Sequence, residues 1–288
     1  MISCLDTGQT LCYNSEKMTD RESDITPLAE EMAKSALSVS GLCFSYPDRP
    51  NVLNNITLTV MPGERVGLIG PNGAGKTTFF LSLCGVLEPS AGEIVLLGKP
   101  VVNGDFRPDV ALVFQNPDDQ LFCPSVWDDV AFGPQNTGLS KDDVEKRVRE
   151  ALTTVEGTEL AERPVHHLSE GEKRIISVAG VLAMHPRLII YDEPGANLDI
   201  RSRRRLIRLL QGSTETILVA SHDLELILEV CNRVVLMEGG GIVADGDPRT
   251  VMGNVELMEA HGQEKPHSLL PHQVPHQYSC RPTIARNA

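Results

Sequence analysis

The stretch ERVGLIGPNGAGKTTFFLSLCG, residues 64–85, restricts the fold of this chain more than any other. Its opening, ERVGLIG (64–70), reads as a buried strand ending in glycine, and GKTTFFLSLCG (75–85) as the helix behind it. Between them, glycines at 70, 73 and 75 let the backbone curl so that its N–H groups point inward. A turn of that kind between a strand and a helix is a cradle for an anion, and the unit belongs to an α/β architecture with a parallel sheet.

The spacing Gly70-Pro71-Asn72-Gly73-Ala74-Gly75-Lys76-Thr77 fits G-x-x-x-x-G-K-[ST], the P-loop. Lys76 is placed to reach the β- and γ-phosphates of a nucleotide, and the Thr77 hydroxyl to ligate Mg²⁺, with Thr78 beside them. The bland reading is a glycine-rich turn without a ligand.

Elsewhere, short β-branched runs alternate with helical patterns from about 37 to 257, an α/β domain. Strands are predicted over 93–98, 109–115, 187–193 and 215–223, and a hairpin over 233–246. Helices are predicted over 125–132, 141–155 and 169–184. Residues 1–36 are polar and aperiodic and read as a flexible tail. Residues 258–288 hold four of the eight histidines and several prolines, and also read as a tail. No internal repeat is evident.

A net charge of −13 argues against nucleic acid as a partner, because such binders carry a basic face. The basic run RSRRRLIR, 201–208, reads first as a solvated helix face. Seven cysteines, at 4, 12, 43, 84, 123, 231 and 280, form no C-x-x-C pair, which suits reduced thiols in a cytoplasmic protein. The N-terminus has no signal-peptide pattern. The apolar runs fall short of the roughly 20 residues that cross a bilayer, so action at a membrane requires another chain to span it.

Several further residues carry candidate chemistry. Asp192 and Glu193 end the apolar strand LIIYDE, as a central strand does when it delivers carboxylates to a nucleotide site. Asp192 suits Mg²⁺ through its water shell, and Glu193 suits a general base toward water. Gln115 and His222 end two other strands and can reach Mg²⁺, water or the γ-phosphate. Their alternatives are a surface glutamine and a structural histidine. Tyr46 can stack on a base, or simply pack. HLSEGEKR, 167–174, offers a second helix start with bare N–H groups. There Ser169 and Glu172 fit a capping box.

Taken in order, Tyr46, the P-loop, Gln115, LSEGE (168–172), Asp192–Glu193, ANLD (196–199) and His222 resemble the ATP-binding cassette (ABC) ATPases over nearly all of 37–257. The resemblance implies a P-loop NTPase of the ABC type: a RecA-like α/β core with an antiparallel β subdomain and a helical subdomain at about 116–170. It also implies a head-to-tail dimer holding ATP between the P-loop of one subunit and LSEGE of the other. In that dimer Ser169 and the Gly171 N–H would contact the partner's γ-phosphate, and Asp199 would sit in the D-loop. Two positions depart from the usual signature: Glu170 replaces Gly and Glu172 replaces Gln. Carboxylates near a triphosphate are unfavourable, and that puts the hydrolysis rate in question. Gly195-Ala196-Asn197 also replaces the commoner Thr-Ala-Gly.

FQNPDDQLFCPSVWDDVAFGPQNTGLS, 114–140, looks like the matching segment of energy-coupling factor (ECF) importers. That implies a transmembrane scaffold protein docking here, a substrate-binding membrane component, and a peripheral place on the cytoplasmic membrane face. The cargo implied is Co²⁺/Ni²⁺ or a vitamin. His261, His267, His272 and His276 favour a metal only weakly, because their spacing matches no defined site. The rivals are a soluble ABC protein of DNA repair or translation, and a dead regulatory cassette. Each lacks support: there is no coiled-coil insertion or second cassette, and Lys76, Asp192, Glu193 and His222 are all present.

Overall fold

In a computed structural model, which describes residues 35–270, the chain folds around two sheets. The first is antiparallel, in the order β2-β1-β4-β5: β1 (Leu37–Tyr46), β2 (Arg49–Val60), β4 (Ala91–Leu96) and β5 (Lys99–Pro100). The second runs β10-β9-β3-β8-β7-β6. Its parallel members are β3 (Arg65–Ile69), β6 (Val110–Val113), β7 (Leu188–Asp192), β8 (Thr216–Ala220) and β9 (Arg233–Glu238); β10 (Gly241–Gly246) closes the edge antiparallel to β9.

The central strands β3, β7, β8 and β9 are apolar and buried on both faces, as a sheet covered on both sides requires. In β7, Leu188 and Ile190 enter one core with the antiparallel sheet and α1 (Lys76–Leu83). Ile189 and Tyr191 enter the other, beneath the remaining helices. Those helices are α2 (Val126–Asn136), α3 (Lys141–Thr154), α4 (Glu170–Leu182), α5 (Ile200–Gly212), α6 (Leu224–Val230), α7 (Pro248–Gly253) and α8 (Val255–Ala260). Helix α3 shows how the pattern sets the packing: Val144, Val148, Ala151 and Leu152 lie on one face, and all are buried. Side-chain caps start the helices at Ser125, Ser140, Ser169 and Asp199.

The structure corrects three sequence readings. The strands at 109–115 and 215–223 stop at Val113 and Ala220, so Gln115 and His222 each stand two residues beyond a strand. Helix α4 packs with α2 and α3, so the helical layer extends past 170 to 182. The C-terminal tail does not begin at 258: Met258 is fully buried in α8, and the Ser268 N–H donates to Glu225 Oε1 at 2.9 Å. Residues 1–34 and 271–288, with His272 and His276, lie outside the described residues.

Candidate active site

Every strand of the parallel sheet that leads to the site delivers its residue at the same edge, the carboxyl ends of the strands. The P-loop leaves β3. Asp192 ends β7, and Glu193 follows it at φ +48°. His222 follows β8 and Gln115 follows β6. With Asn72 to Thr78 they line one cavity of about 460 Å³. The loop needs its glycines: Gly75 lies at φ +104°, and an added Cβ would stand 2.7 Å from the Val52 carbonyl oxygen.

Lys76 is buried, and its Nζ donates to the Gly70 carbonyl at 2.8 Å and to that of Pro71 at 3.3 Å. Burial pulls its pKa down, against the opposing fields of Glu193 and Asp192. Thr77 Oγ1 donates to Asp192 Oδ2 at 2.8 Å. Burial raises the pKa of both carboxylates. Glu193 Oε2 accepts the His222 backbone N–H at 3.1 Å. Its Oε1 is buried without a hydrogen-bond partner, 3.4 Å from His222 Nε2. A buried carboxylate oxygen left free beside a phosphate cradle is a ready acceptor for a proton.

Three predicted residues lie elsewhere on the chain. Ser169 caps α4, and Asp199 caps α5 by accepting the N–H groups of Arg201 and Ser202 at 2.8 and 3.0 Å. Gly171 sits between them; an added Cβ would meet Ser202 Oγ at 2.6 Å. Tyr46 packs edge-on against Phe44, and its hydroxyl lies 3.4 Å from the Oγ1 of Thr78, which lines the cavity.

Two arginines escaped the sequence reading. Arg49 joins the cavity wall and donates to the Gly73 carbonyl at 3.0 Å. Arg174, buried in α4, donates to the carbonyls of Phe114 at 2.8 Å and Gln115 at 2.6 Å. An arginine opening the apolar run RIISVAGVLAM was the available signal. Arg174→Met is expected to cost about 3 kcal/mol, because two carbonyls lose a charged donor, and urea unfolding measures it.

The ABC transporter family model matches residues 53–196. The chain belongs to the ABC transporter ATP-binding family. A Synechocystis sp. protein named as an ABC transporter ATP-binding protein is 53% identical over 266 residues, covering 92% of this chain and 93% of its own length. The energy-coupling factor transporter ATP-binding protein EcfA of Methanocaldococcus jannaschii is 45% identical over 225 residues, covering 75% and 81%. Among solved structures, cbiO1 from Clostridium perfringens, part of the ABC transporter complex cbiONQ, superposes with a TM-score of 0.71 at 35% identity, covering 79% of this chain and 94% of that one. This ABC ATPase therefore hydrolyses ATP as a subunit of a transporter. No helix among its described residues is long and apolar enough to cross a membrane.

Proposed function

We propose that this ABC ATPase powers an ECF-type importer, as a head-to-tail dimer on the cytoplasmic membrane face, and drives uptake of a micronutrient, Co²⁺ or Ni²⁺. The observation that carries this reading is an apolar groove of about 490 Å³ between the parallel sheet and the helical layer. Phe106 and Phe122, 72% and 66% exposed, stand on its rim with Phe114 and Phe132. Phe114 adjoins Gln115, so whatever fills the groove sits one residue from the nucleotide cavity. An exposed apolar patch of this kind suits an amphipathic helix of a transmembrane scaffold protein. The EcfA and cbiO1 relatives support the same reading, while the choice of cargo rests on the resemblance of residues 114–140. His261 adds nothing to it, since its Nδ1 lies 2.5 Å from Glu238 Oε2.

In this reading the P-loop N–H groups and Lys76 hold the ATP phosphates, and Tyr46 flanks the base. Thr77 and Asp192, already in contact, form an oxygen donor set that fits Mg²⁺, completed by Gln115. That ion would neutralise phosphate charge. Glu193 Oε1 takes a proton from water as the water oxygen bonds the γ-phosphorus and the bond to the ADP oxygen breaks. His222 holds Glu193 in place through its backbone N–H and faces the γ-phosphate. Ser169, Gly171 and Asp199, remote from their own cavity, serve that of the second subunit. The basic run at 201–208 offers nucleic acid little: Arg203 bonds Asp223 and Glu229, Arg204 bonds Glu229, and Arg205 bonds the Val155 carbonyl.

The test is a pull-down of tagged Glu193→Gln protein with ATP from detergent-solubilised membranes of the source organism. A small polytopic membrane protein is expected to co-purify. Recovery of only soluble proteins or nucleic acid removes transport. A vitamin-binding membrane companion removes Co²⁺/Ni²⁺ and keeps the importer.

A further inference from the structure

The first turn of α4 carries two carboxylates, Glu170 and Glu172, at the helix end proposed to meet a partner's triphosphate. Their surroundings differ. The Glu170 side chain is 62% exposed and lies 3.4 Å from Lys173 Nζ, which is closer to Asp118, at 2.7 Å. Water screens its charge. Glu172 is the more enclosed, and both of its oxygens are engaged. Oε1 accepts from Arg163 Nη1 at 2.8 Å. Oε2 accepts the Ser169 backbone N–H at 2.8 Å and the Ser169 hydroxyl at 2.9 Å. A capping box needs only the first of those two bonds. Here the carboxylate also takes the hydroxyl hydrogen that a phosphate oxygen would want.

Arg163 is itself fixed. Its Nη2 donates to the His167 carbonyl at 2.9 Å, its N–H to the Leu160 carbonyl at 2.8 Å, and its own carbonyl accepts the Val126 N–H at 3.1 Å. The last bond ties it to the first turn of α2, beside the apolar groove. The guanidinium therefore reaches Glu172 from an anchored backbone, at Oε1, the oxygen that Ser169 does not use.

We infer that Arg163 is a positioning residue that neutralises Glu172 and sets the Ser169 hydroxyl, so that LSEGE can receive a second subunit's γ-phosphate. The inference rests on the dimer reading above. Arg163 draws the negative charge of Glu172 toward Oε1, and this weakens Oε2 as a competitor for the Ser169 hydroxyl. Without Arg163, a full negative charge would stand at the helix start where a polyanion must approach. With Gln at 172 the amide oxygen still accepts the Ser169 N–H, the box survives, and nothing is left to neutralise.

The experiment is steady-state ATP turnover by the full chain, with nucleotide affinity of the monomer read separately by a fluorescent ATP analogue. Arg163→Ala is expected to lower turnover about tenfold, and Glu172→Gln to raise it about threefold. The double variant should come within about threefold of the unmutated rate, and monomer affinity should stay constant throughout. Arg163→Lys, which keeps the charge, should recover most of the loss. Unmutated turnover by Arg163→Ala would overturn the proposal. So would an equal tenfold loss with Glu172→Gln also present, because Arg163 would then act only as a structural brace. Ser169→Arg separates the two levels of the argument. If it turns over ATP normally, the dimer reading fails and takes this inference with it. If it is inactive while Arg163→Ala is normal, only this inference fails.

Discussion

Glu193→Gln is expected to lower ATP turnover by about 10²- to 10⁴-fold, the span ascribed to a positioned base, while leaving ATP binding intact. Gln keeps an oxygen for the His222 N–H but has no basic oxygen where Oε1 stands free. With ATP and Mg²⁺ the variant should elute as a dimer, because the nucleotide joining the subunits is no longer cleaved. Unmutated turnover would remove Glu193 from the role of base. The pH profile gives a second readout. Burial raises the Glu193 pKa, against the opposing fields of His222 and Lys76. A base works only when deprotonated, so turnover should fall on acidification through a pKa above the ordinary carboxylate range. That limb should vanish in the variant. The sign for stability is opposite. A raised folded-state pKa means that stability is lost as pH rises from the ordinary carboxylate value through the raised one. At neutral pH the nucleotide-free Glu193→Gln protein should therefore melt higher than the unmutated one, and the gap should close in acid.

Lys76→Ala should weaken ATP binding by about 100-fold, the equivalent of roughly 3 kcal/mol for a lost charge-assisted contact, and turnover should be lost with it. Isothermal titration with ATP measures this. The Gly70 and Pro71 carbonyls hold the Lys76 ammonium inside the loop, where phosphate oxygens would arrive. Removing it also takes away a positive field that favours the ionised form of both Asp192 and Glu193, so each should become still harder to ionise. A near-normal affinity would mean that the backbone N–H groups alone hold the phosphates.

The parts of this site that are local in the chain were legible in the sequence. The P-loop encodes its own geometry, since glycines at 70, 73 and 75 all take positive φ. The carboxylates at 192 and 193 announce themselves by ending an apolar run. Gln115 and His222 are legible as residues, but the strands read for them, 109–115 and 215–223, overrun the true strand ends by two and three residues. Strand ends are decided by neighbours across the sheet, and no local pattern carries that. Register shifts along β1 break the alternation that marks a strand, so the hairpin with β2 could not be placed residue by residue. The segment 258–270 lacks apolar periodicity because it docks through single contacts, such as Met258 and the pair His261–Glu238. Arg49, Arg163 and Arg174 all donate to backbone carbonyls; a carbonyl leaves no mark on a sequence, so of the three only Arg174, at the head of an apolar run, offers a signal.

The clamp made by Arg174 has a consequence for anyone exchanging parts between relatives of this chain. A graft of residues 116–170 looks like a clean transplant of the helical layer, yet it leaves Gln115 and the arginine that holds it behind in the recipient and cuts the layer through the first turn of α4. Lys173 to Asp118, Gln120 to the Ser177 carbonyl and Arg147 to the Met184 carbonyl cross the same cut. A chimera joined at 113 and 186 carries all of these bonds inside the donated piece, and breaks the chain only where β6 ends and before β7 begins. The natural module for recombination is therefore longer than the visible motif spacing suggests, and it includes the loop at Phe114–Gln115 along with the helix whose arginine holds it.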